Sequence, residues 1–226
     1  MIEQIRKWLK RGDNATACLV LFVPRGRRAN DPVRTVYAFL PAACRKSAEV
    51  RLLEEKPSAA TKAAHSKPGK AAARSVVLFA HPLESHSGFA VNAVNGRDED
   101  ALTVEWWNES GYQVQALVAH VCHGCRILNR ESWRAIFPNW VSYTVDIHAL
   151  LVEKRDRQIW ALIAKAIVDA TQEYDSVVGL KERICASYLE AMEDLSESNM
   201  ERDIVHMLHF QKAMDGIMSS DESYYE

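Results

Sequence analysis

The chain has 226 residues, 48% of them hydrophobic, and its formal net charge at pH 7 is −2. This length and composition suffice for one good hydrophobic core. The nearly neutral net charge indicates no chain-wide basic field for nucleic acid and no overall acidic excess for a basic partner. The apolar runs are shorter than a membrane span, and residues 1–10 lack the apolar core and cleavage site of a signal peptide. We therefore expect a cytoplasmic protein with no nucleic-acid or membrane partner.

The five cysteines, at positions 18, 44, 122, 125 and 185, are odd in number and scattered, which is typical of reduced thiols rather than of a disulfide framework. Cys122 and Cys125 have the Cys-x-x-Cys spacing of zinc sites. No second pair of cysteines or histidines completes four ligands. The sequence therefore predicts neither a metal site nor a cofactor.

The first third of the chain alternates apolar runs with polar connections. Three runs are predicted as strands, namely 16–23, 34–40 and 49–53, and a basic loop from Pro24 to Pro32 joins the first two. The alanine- and lysine-rich stretch 58–73 favours a helix slightly over a solvated linker.

Two later apolar runs each end on a reactive side chain. Ser75–Ala80 reads as a buried strand that ends on His81, and 115–121 as another that ends on Cys122. If these strands are parallel, both side chains lie at the same edge of the sheet. A histidine base and a cysteine nucleophile can meet in this way without being neighbours in sequence.

Short elements surround these two strands. A hairpin strand at 89–94 is turned by Asn95-Gly96, Thr103 caps a short helix, a further helix covers 130–137, and 140–144 forms the next strand. Apolar residues at helical spacing then predict three helices, around 159–170, 180–192 and 200–214, before an acidic, frayed tail from Ser219. The alternation predicts an α/β fold with a mainly parallel sheet, whose functional groups gather at the carboxyl ends of the strands.

These motifs resemble the caspase-like cysteine proteases of clan CD, and among them the bacterial CHAT domains. The segment His120-Val121-Cys122-His123-Gly124 is similar to the Gln-Ala-Cys-Arg-Gly nucleophile motif of caspases. The order of a strand ending on histidine, a small hairpin, a Leu-Thr helix start and a cysteine strand is that of CHAT domains. The resemblance covers residues 75–170, and residues 15–74 in strand order only.

The resemblance implies a three-layer α/β/α sandwich, with a catalytic domain at 1–175 and a helical extension at 176–226 packed on it. It further implies a cysteine endopeptidase that cleaves a protein substrate without a cofactor. In such an enzyme the Cys122 thiolate, its pKa lowered by its surroundings, attacks the peptide carbonyl, and His81 protonates the leaving amine. Stand-alone CHAT proteases are often regulated, so the resemblance also implies a sensor or activator partner and a role in antiviral defence against phage.

One position departs from the family pattern. The histidine is usually followed by a glycine whose N–H helps bind the oxyanion, and Pro82 has no N–H to donate. His86, followed by Ser87, is therefore an alternative base, although His81 is better fixed because it ends the strand directly. Because of this departure, a second interpretation is that the protein is a catalytically inactive, caspase-like interaction module within a larger complex.

Two further residues have competing interpretations. Asp146 follows the strand at 140–144, where an acid would suit a basic side chain before the scissile bond; equally, it would cap a helix beginning near His148. His120 points to the same side of its strand as Cys122, and is either part of the site or a core histidine.

Overall fold

The computed structural model of the protein describes residues 18–24, 31–40, 42, 48–52, 74–90, 101–110, 114–147, 149, 151–196 and 201–222. In chain order the elements are β1 (Cys18–Val23), α1 (Pro32–Phe39), β2 (Glu49–Leu52), β3 (Arg74–Pro82), β4 (Phe89–Ala90), β5 (Ala101–Leu102), α2 (Val104–Ser110), β6 (Val114–His120), α3 (Gly124–Leu128), α4 (Glu131–Arg134), β7 (Trp140–Tyr143), α5 (Lys154–Gln172), α6 (Val177–Ser196), α7 (Glu201–Asp215) and β8 (Ile217–Ser219).

The main sheet has the strand order β2-β1-β3-β6-β7-β8. All neighbouring pairs from β2 to β7 are parallel, and β8 joins β7 antiparallel at the edge. The short strands β4 and β5 pair with each other, and β4 pairs with the end of β3. The chain runs from β1 to β2 on one side and returns to place β3 on the other side of β1. The crevice between the carboxyl ends of β1 and β3 is therefore the position where open α/β sheets bind ligands.

Helices cover both faces of the sheet, which makes three layers. Alternate strand residues belong to two separate core clusters, because successive side chains of a strand point to opposite faces. One cluster packs the sheet against α1, α5, α6 and α7, and the other packs it against α2, α3 and α4. The α/β sandwich with a mainly parallel sheet is confirmed.

Most predicted elements are confirmed within a few residues. The central strands are found where continuous apolar runs predict them, because they are buried on both faces. Thr103 begins α2, with its Oγ1 accepting a hydrogen bond from Trp106 N at 3.4 Å. The predictions for residues 1–10, for the lysine-rich stretch 58–73 and for the Asn95-Gly96 turn lie outside the described residues.

The predicted strand at 34–40 is wrong, since this segment belongs to α1. Asp31 caps the helix by accepting a hydrogen bond from Arg34 N at 3.2 Å, and Pro32 occupies the first turn. Asp followed by Pro is a strong helix-start signal. The spacing of the buried Val33 and Val36 is helical as well, so capping and periodicity outweigh the strand preference of the β-branched residues.

The carboxyl-terminal segment contributes to the main core and not only to a covering layer. Leu180, Ile184 and Phe210 from α6 and α7 lie in the same core cluster as the sheet residues. The prediction of a frayed tail from Ser219 is wrong for its first residues, because Ser219 lies in β8 and its backbone N–H donates to Glu222 Oε2 at 2.7 Å.

Candidate active site

His81 and Cys122 come from neighbouring parallel strands. Phe79 of β3 is in register with His120 of β6, and His81 and Cys122 each follow two residues later. Both side chains line one cavity at the carboxyl ends of these strands. The structure thus brings together the two residues that the sequence analysis selects as base and nucleophile.

The turn that holds Cys122 is packed tightly against β7. His123 has a left-handed backbone with φ 51°, which a non-glycine residue adopts only at a cost, and Gly124 N donates to Val121 O at 3.1 Å. A Cβ at Gly124 would lie 2.2 Å from Ser142 Oγ, whose hydroxyl donates to Ala119 O at 2.8 Å. Only glycine therefore allows this turn to approach β7 so closely.

The Cys122 thiol lies against the backbone of Ile147. Ile147 N donates to Sγ at 3.2 Å, and Sγ lies 3.7 Å from Ile147 O as a potential donor. Burial raises the pKa of Cys122, and the hydrogen bond from Ile147 only partly opposes this rise. The expectation of a lowered pKa is therefore wrong: the resting side chain is a thiol, and a base must remove its proton before attack.

Asp31 stands beside the candidate base and was not identified from sequence. Its Oδ2 lies 3.3 Å from His81 Nε2, within ion-pair distance although not aligned as a hydrogen bond. The carboxylate is 8% exposed and the imidazole 25%. Asp31 lies between β1 and α1, and His81 lies at the end of β3, so the two meet across the crevice where the strand order reverses. The only local signal for Asp31 is its role as helix cap, which says nothing about a histidine 50 positions away.

The alternative base, His86, packs against His123. Its ring meets that of His123 edge to face, with centroids 6.4 Å apart, and it does not line the cavity that His81 and Cys122 share. Burial lowers the pKa of His86, and the neighbouring Arg126 lowers it further. Like His123, His86 has a left-handed backbone, and these are the two such non-glycine residues in the described part of the chain.

Asp146 pairs with His123 and does not line the shared cavity. Its Oδ1 lies 3.2 Å from His123 Nε2, and its side chain is about half exposed (52%). The alternative interpretation as a helix cap is wrong, because α5 begins at Lys154 with Glu153 as its cap. Whether Asp146 contacts a basic substrate residue stays a prediction.

His120 is both part of the cavity wall and a hydrogen-bonded core residue. Its Nε2 lies 3.2 Å from Tyr188 Oη, and its ring contacts Phe79, Tyr143 and Trp160. Burial lowers the pKa of His120 to about 4, so the ring is neutral near pH 7. It therefore contributes no charge to the cavity.

This burial predicts a pH-dependent stability. The unfolded chain protonates His120 near pH 6.5 and the folded chain near 4, so stability is full above about pH 6.5 and falls as pH drops to 4. The loss attributable to this ring is about 3 kcal/mol. Urea unfolding at pH 7, 6, 5 and 4.5 should show a shallower decline for His120→Gln, which keeps a donor for Tyr188 without the titration. Parallel curves for the two proteins would contradict the assignment.

Few backbone donors remain for an oxyanion. The N–H groups of Leu83, His123 and Gly124 already donate to Gly88 O, Val145 O and Val121 O. The described residues supply no carbonyl acceptor for the backbone N–H of Cys122. It is therefore the best-placed donor for a developing oxyanion.

The shared cavity is partly open to solvent and has a volume of about 90 Å³. α1 provides one wall through Val33 and Val36, and α5 provides another through Trp160, Ile163 and Ala164. No Asp, Glu, Lys or Arg is among the described residues that line it.

No features of a metal centre or a membrane span are found in the described residues. No group of three or more His, Cys, Asp or Glu side chains there is arranged to hold a metal ion. Cys125 is buried among apolar side chains on the other face of the sheet from the main cavity walls, and burial raises its pKa to about 12. None of the described helices has the length and hydrophobicity that a bilayer crossing requires.

Comparison with known proteins gives no match: no protein-family model, curated protein or solved structure is significantly similar to this chain.

Proposed function

We propose that the protein is a cysteine endopeptidase with Cys122 as nucleophile and His81 as base. The observation that supports it best is that both side chains line one cavity at the carboxyl ends of β3 and β6, with Asp31 beside the imidazole. Backbone strain at His86 and His123 around the same place is typical of functional sites.

The reaction follows from these groups. His81 Nε2 faces Asp31, so Nδ1 is the nitrogen that takes the thiol proton as Sγ bonds to the peptide carbonyl carbon. The oxyanion accepts a hydrogen bond from Cys122 N. The carbon–nitrogen bond then breaks, and the imidazolium returns its proton to the leaving amine. Water, deprotonated by His81, hydrolyses the thioester to a carboxylic acid and the free thiol.

Reactivity of the thiols gives the first test. Cys122 and Cys185 are both half-buried, and burial raises the pKa of both, but of the two only Cys122 shares a cavity with the proposed base His81. Iodoacetamide at pH 7 should therefore alkylate Cys122 at least ten times faster than Cys185, as located by mass spectrometry. Equal rates would overturn the proposal. In a peptide hydrolysis assay, Cys122→Ala should lose activity while its unfolding midpoint stays unchanged.

Asp31→Asn tests the role of the carboxylate. Asparagine caps helices as well as aspartate does, so α1 should keep its start, while the charge that stabilises the His81 imidazolium is lost. The kcat/KM of peptide hydrolysis should fall at least about 10-fold, which corresponds to about 1.4 kcal/mol. The unfolding midpoint should stay close to that of the unmodified chain. Unchanged kinetics would show that Asp31 only caps the helix.

The physiological setting belongs to the same proposal. By resemblance to stand-alone CHAT proteases, we propose a cytoplasmic, regulated bacterial protease in antiviral defence that cleaves a protein after activation by a sensor or activator protein. A chain that alkylates rapidly at Cys122 but hydrolyses no peptide alone would fit this dependence on a partner.

A catalytically inactive interaction module is the second candidate. Pro82 favours it by removing an oxyanion donor, and so does an exposed apolar stripe on α7 formed by Ile204, Val205 and Leu208. The two candidates predict different thiol reactivity. An interaction module needs no activated nucleophile, so Cys122 and Cys185 should then react at similar rates.

A further inference from the structure

We propose that the cavity beside Cys122 binds the side chain that precedes the scissile bond, and that this side chain is apolar with three or four carbons, as in valine or leucine. This inference rests on the proposed peptidase function and adds its substrate class.

The location of the cavity supports this assignment. Cys122 and His81 form part of its wall, and Ile147, whose backbone holds the sulfur, forms another part. A peptide whose carbonyl carbon lies at Sγ has its preceding side chain within one residue of the nucleophile. The cavity beside the sulfur is therefore the space that this side chain can enter.

The chemistry of the wall selects an apolar group. Val33, Val36, Ile163 and Ala164 present only carbon, and His120 is neutral and hydrogen-bonded to Tyr188. A carboxylate or ammonium group here would lose part of its hydration, and no Asp, Glu, Lys or Arg among the described lining residues would pair with it. A charged side chain is therefore disfavoured relative to an apolar one.

The size of the cavity limits the length of the side chain. A dry apolar cavity of about 150 Å³ holds benzene, which has six carbons. By the same proportion, the 90 Å³ here accommodates about four carbons. Valine and leucine fit, whereas phenylalanine and tryptophan are too large unless the walls move.

Peptidyl chloromethyl ketones test this preference directly. Sγ displaces chloride from the probe's methylene carbon, the thiol proton is lost to His81 or solvent, and a thioether remains. Probes of one tripeptide sequence would end in leucine, valine, phenylalanine, aspartate or lysine, and the alkylation rate at Cys122 would be followed by mass spectrometry. We expect leucine and valine to react at least 10-fold faster than aspartate and lysine.

Two substitutions change the cavity in opposite directions. Ala164→Val adds two carbons to its wall, and the leucine probe should slow at least 10-fold. Ala170→Val is the matched control, because Ala170 is buried on the same helix but does not line the cavity. Val36→Ala enlarges the cavity and should raise the rate of the phenylalanine probe relative to leucine. If Ala164→Val fails to fold, the Val36→Ala result still tests whether this cavity binds the side chain of the probe.

The outcomes separate this inference from the proposed function. Iodoacetamide has no side chain to place, so its rate at Cys122 should be the same in all these variants. Rapid iodoacetamide labelling with no preference among probes would overturn the apolar specificity alone. A preference for the lysine probe that is lost in Asp146→Asn would overturn the apolar specificity. It would show instead that Asp146 selects a basic side chain before the scissile bond. Slow labelling by iodoacetamide, equal to that of Cys185, would overturn the peptidase function itself.

Discussion

His81→Ala should lower the kcat/KM of peptide hydrolysis by roughly 10² to 10⁴-fold, the usual contribution of a general base. The reason lies in the state of the nucleophile. Burial raises the pKa of Cys122, so at neutral pH the sulfur carries a proton that must leave before it attacks. A thiolate formed in advance would make the reaction far less dependent on a base. The alkylation rate of Cys122 by iodoacetamide should fall in the same variant, which provides a readout that needs no substrate.

His86→Ala is the matched control for this result. Both histidines are partly buried, His81 at the end of β3 and His86 in the turn after it, but His86 contacts His123 and lies outside the shared cavity. Its replacement should change the alkylation rate of Cys122 less than about 3-fold, since it removes only a neighbouring ring. If His86→Ala slows the reaction and His81→Ala does not, the alternative base named from sequence is the working one, and Asp31 has no catalytic partner.

The pH profile gives a second test of the same assignment. With His81 as base, alkylation by iodoacetamide should already be rapid at neutral pH, where burial keeps the Cys122 side chain a thiol. In His81→Ala the rate at neutral pH should fall, leaving only the rise that accompanies ionisation of Cys122 at alkaline pH. A profile with the alkaline rise alone in both proteins would show that His81 is not coupled to the sulfur.

The sequence predicts the sheet well because its central strands are buried on both faces. Such strands are continuous apolar runs, and the polar residue that ends each run marks the edge of the sheet. His81 and the turn at Cys122 were located in this way. Their side-by-side arrangement then requires only that the strands be parallel neighbours, which the pairing of β3 with β6 provides.

Contacts between distant segments were not predictable in the same manner. Asp31 meets His81 only because β1 and β3 are adjacent in the sheet. The residues around Asp31 in sequence do not indicate this contact. The strand β8 was missed because three residues at a sheet edge give too short a signal for periodicity. The raised pKa of Cys122 depends on the packing of Ile147 and its loop, which only the folded structure provides.

The site also depends on how α5 is held, and this leads to the largest expected effect on stability. α5 forms one wall of the cavity and follows the loop that places Ile147 against the thiol. The buried Asp156 fixes its first turn: Oδ2 accepts a hydrogen bond from Glu153 N at 2.7 Å, and Oδ1 lies 3.1 Å from Nε2 of the fully buried His206 on α7. One carboxylate thus caps α5 and ties it to α7.

Asp156→Ala should lower the free energy of unfolding by about 3–5 kcal/mol, because breaking a buried charged contact leaves the other partner without compensation. His206 Nδ1 already has no hydrogen-bond partner, so the substitution would leave both ring nitrogens of a buried histidine unsatisfied. Globular domains have total stabilities of about 5–15 kcal/mol, so this loss is a large fraction of the free energy of unfolding. Urea unfolding measures it, with Asp169→Ala as control. Asp169 lies on the same helix but pairs with Lys165 at a partly exposed position, so its loss should cost under about 1 kcal/mol.

The sign of the pH dependence supports the same assignment. Burial alone would raise the pKa of Asp156, but the hydrogen bond from Glu153 N and the contacts with His206 and Arg202 outweigh it, so the net shift is downward. A carboxyl with a lowered pKa stabilises the fold above its unfolded value of 3.8 and loses that contribution as the pH falls below it. The difference between wild type and Asp156→Ala should therefore shrink in acid. A double-mutant cycle with His206→Ala should give a coupling of at least 1 kcal/mol at pH 7. Additive losses would mean that Asp156 only caps α5, and that α7 is held to it by apolar packing alone.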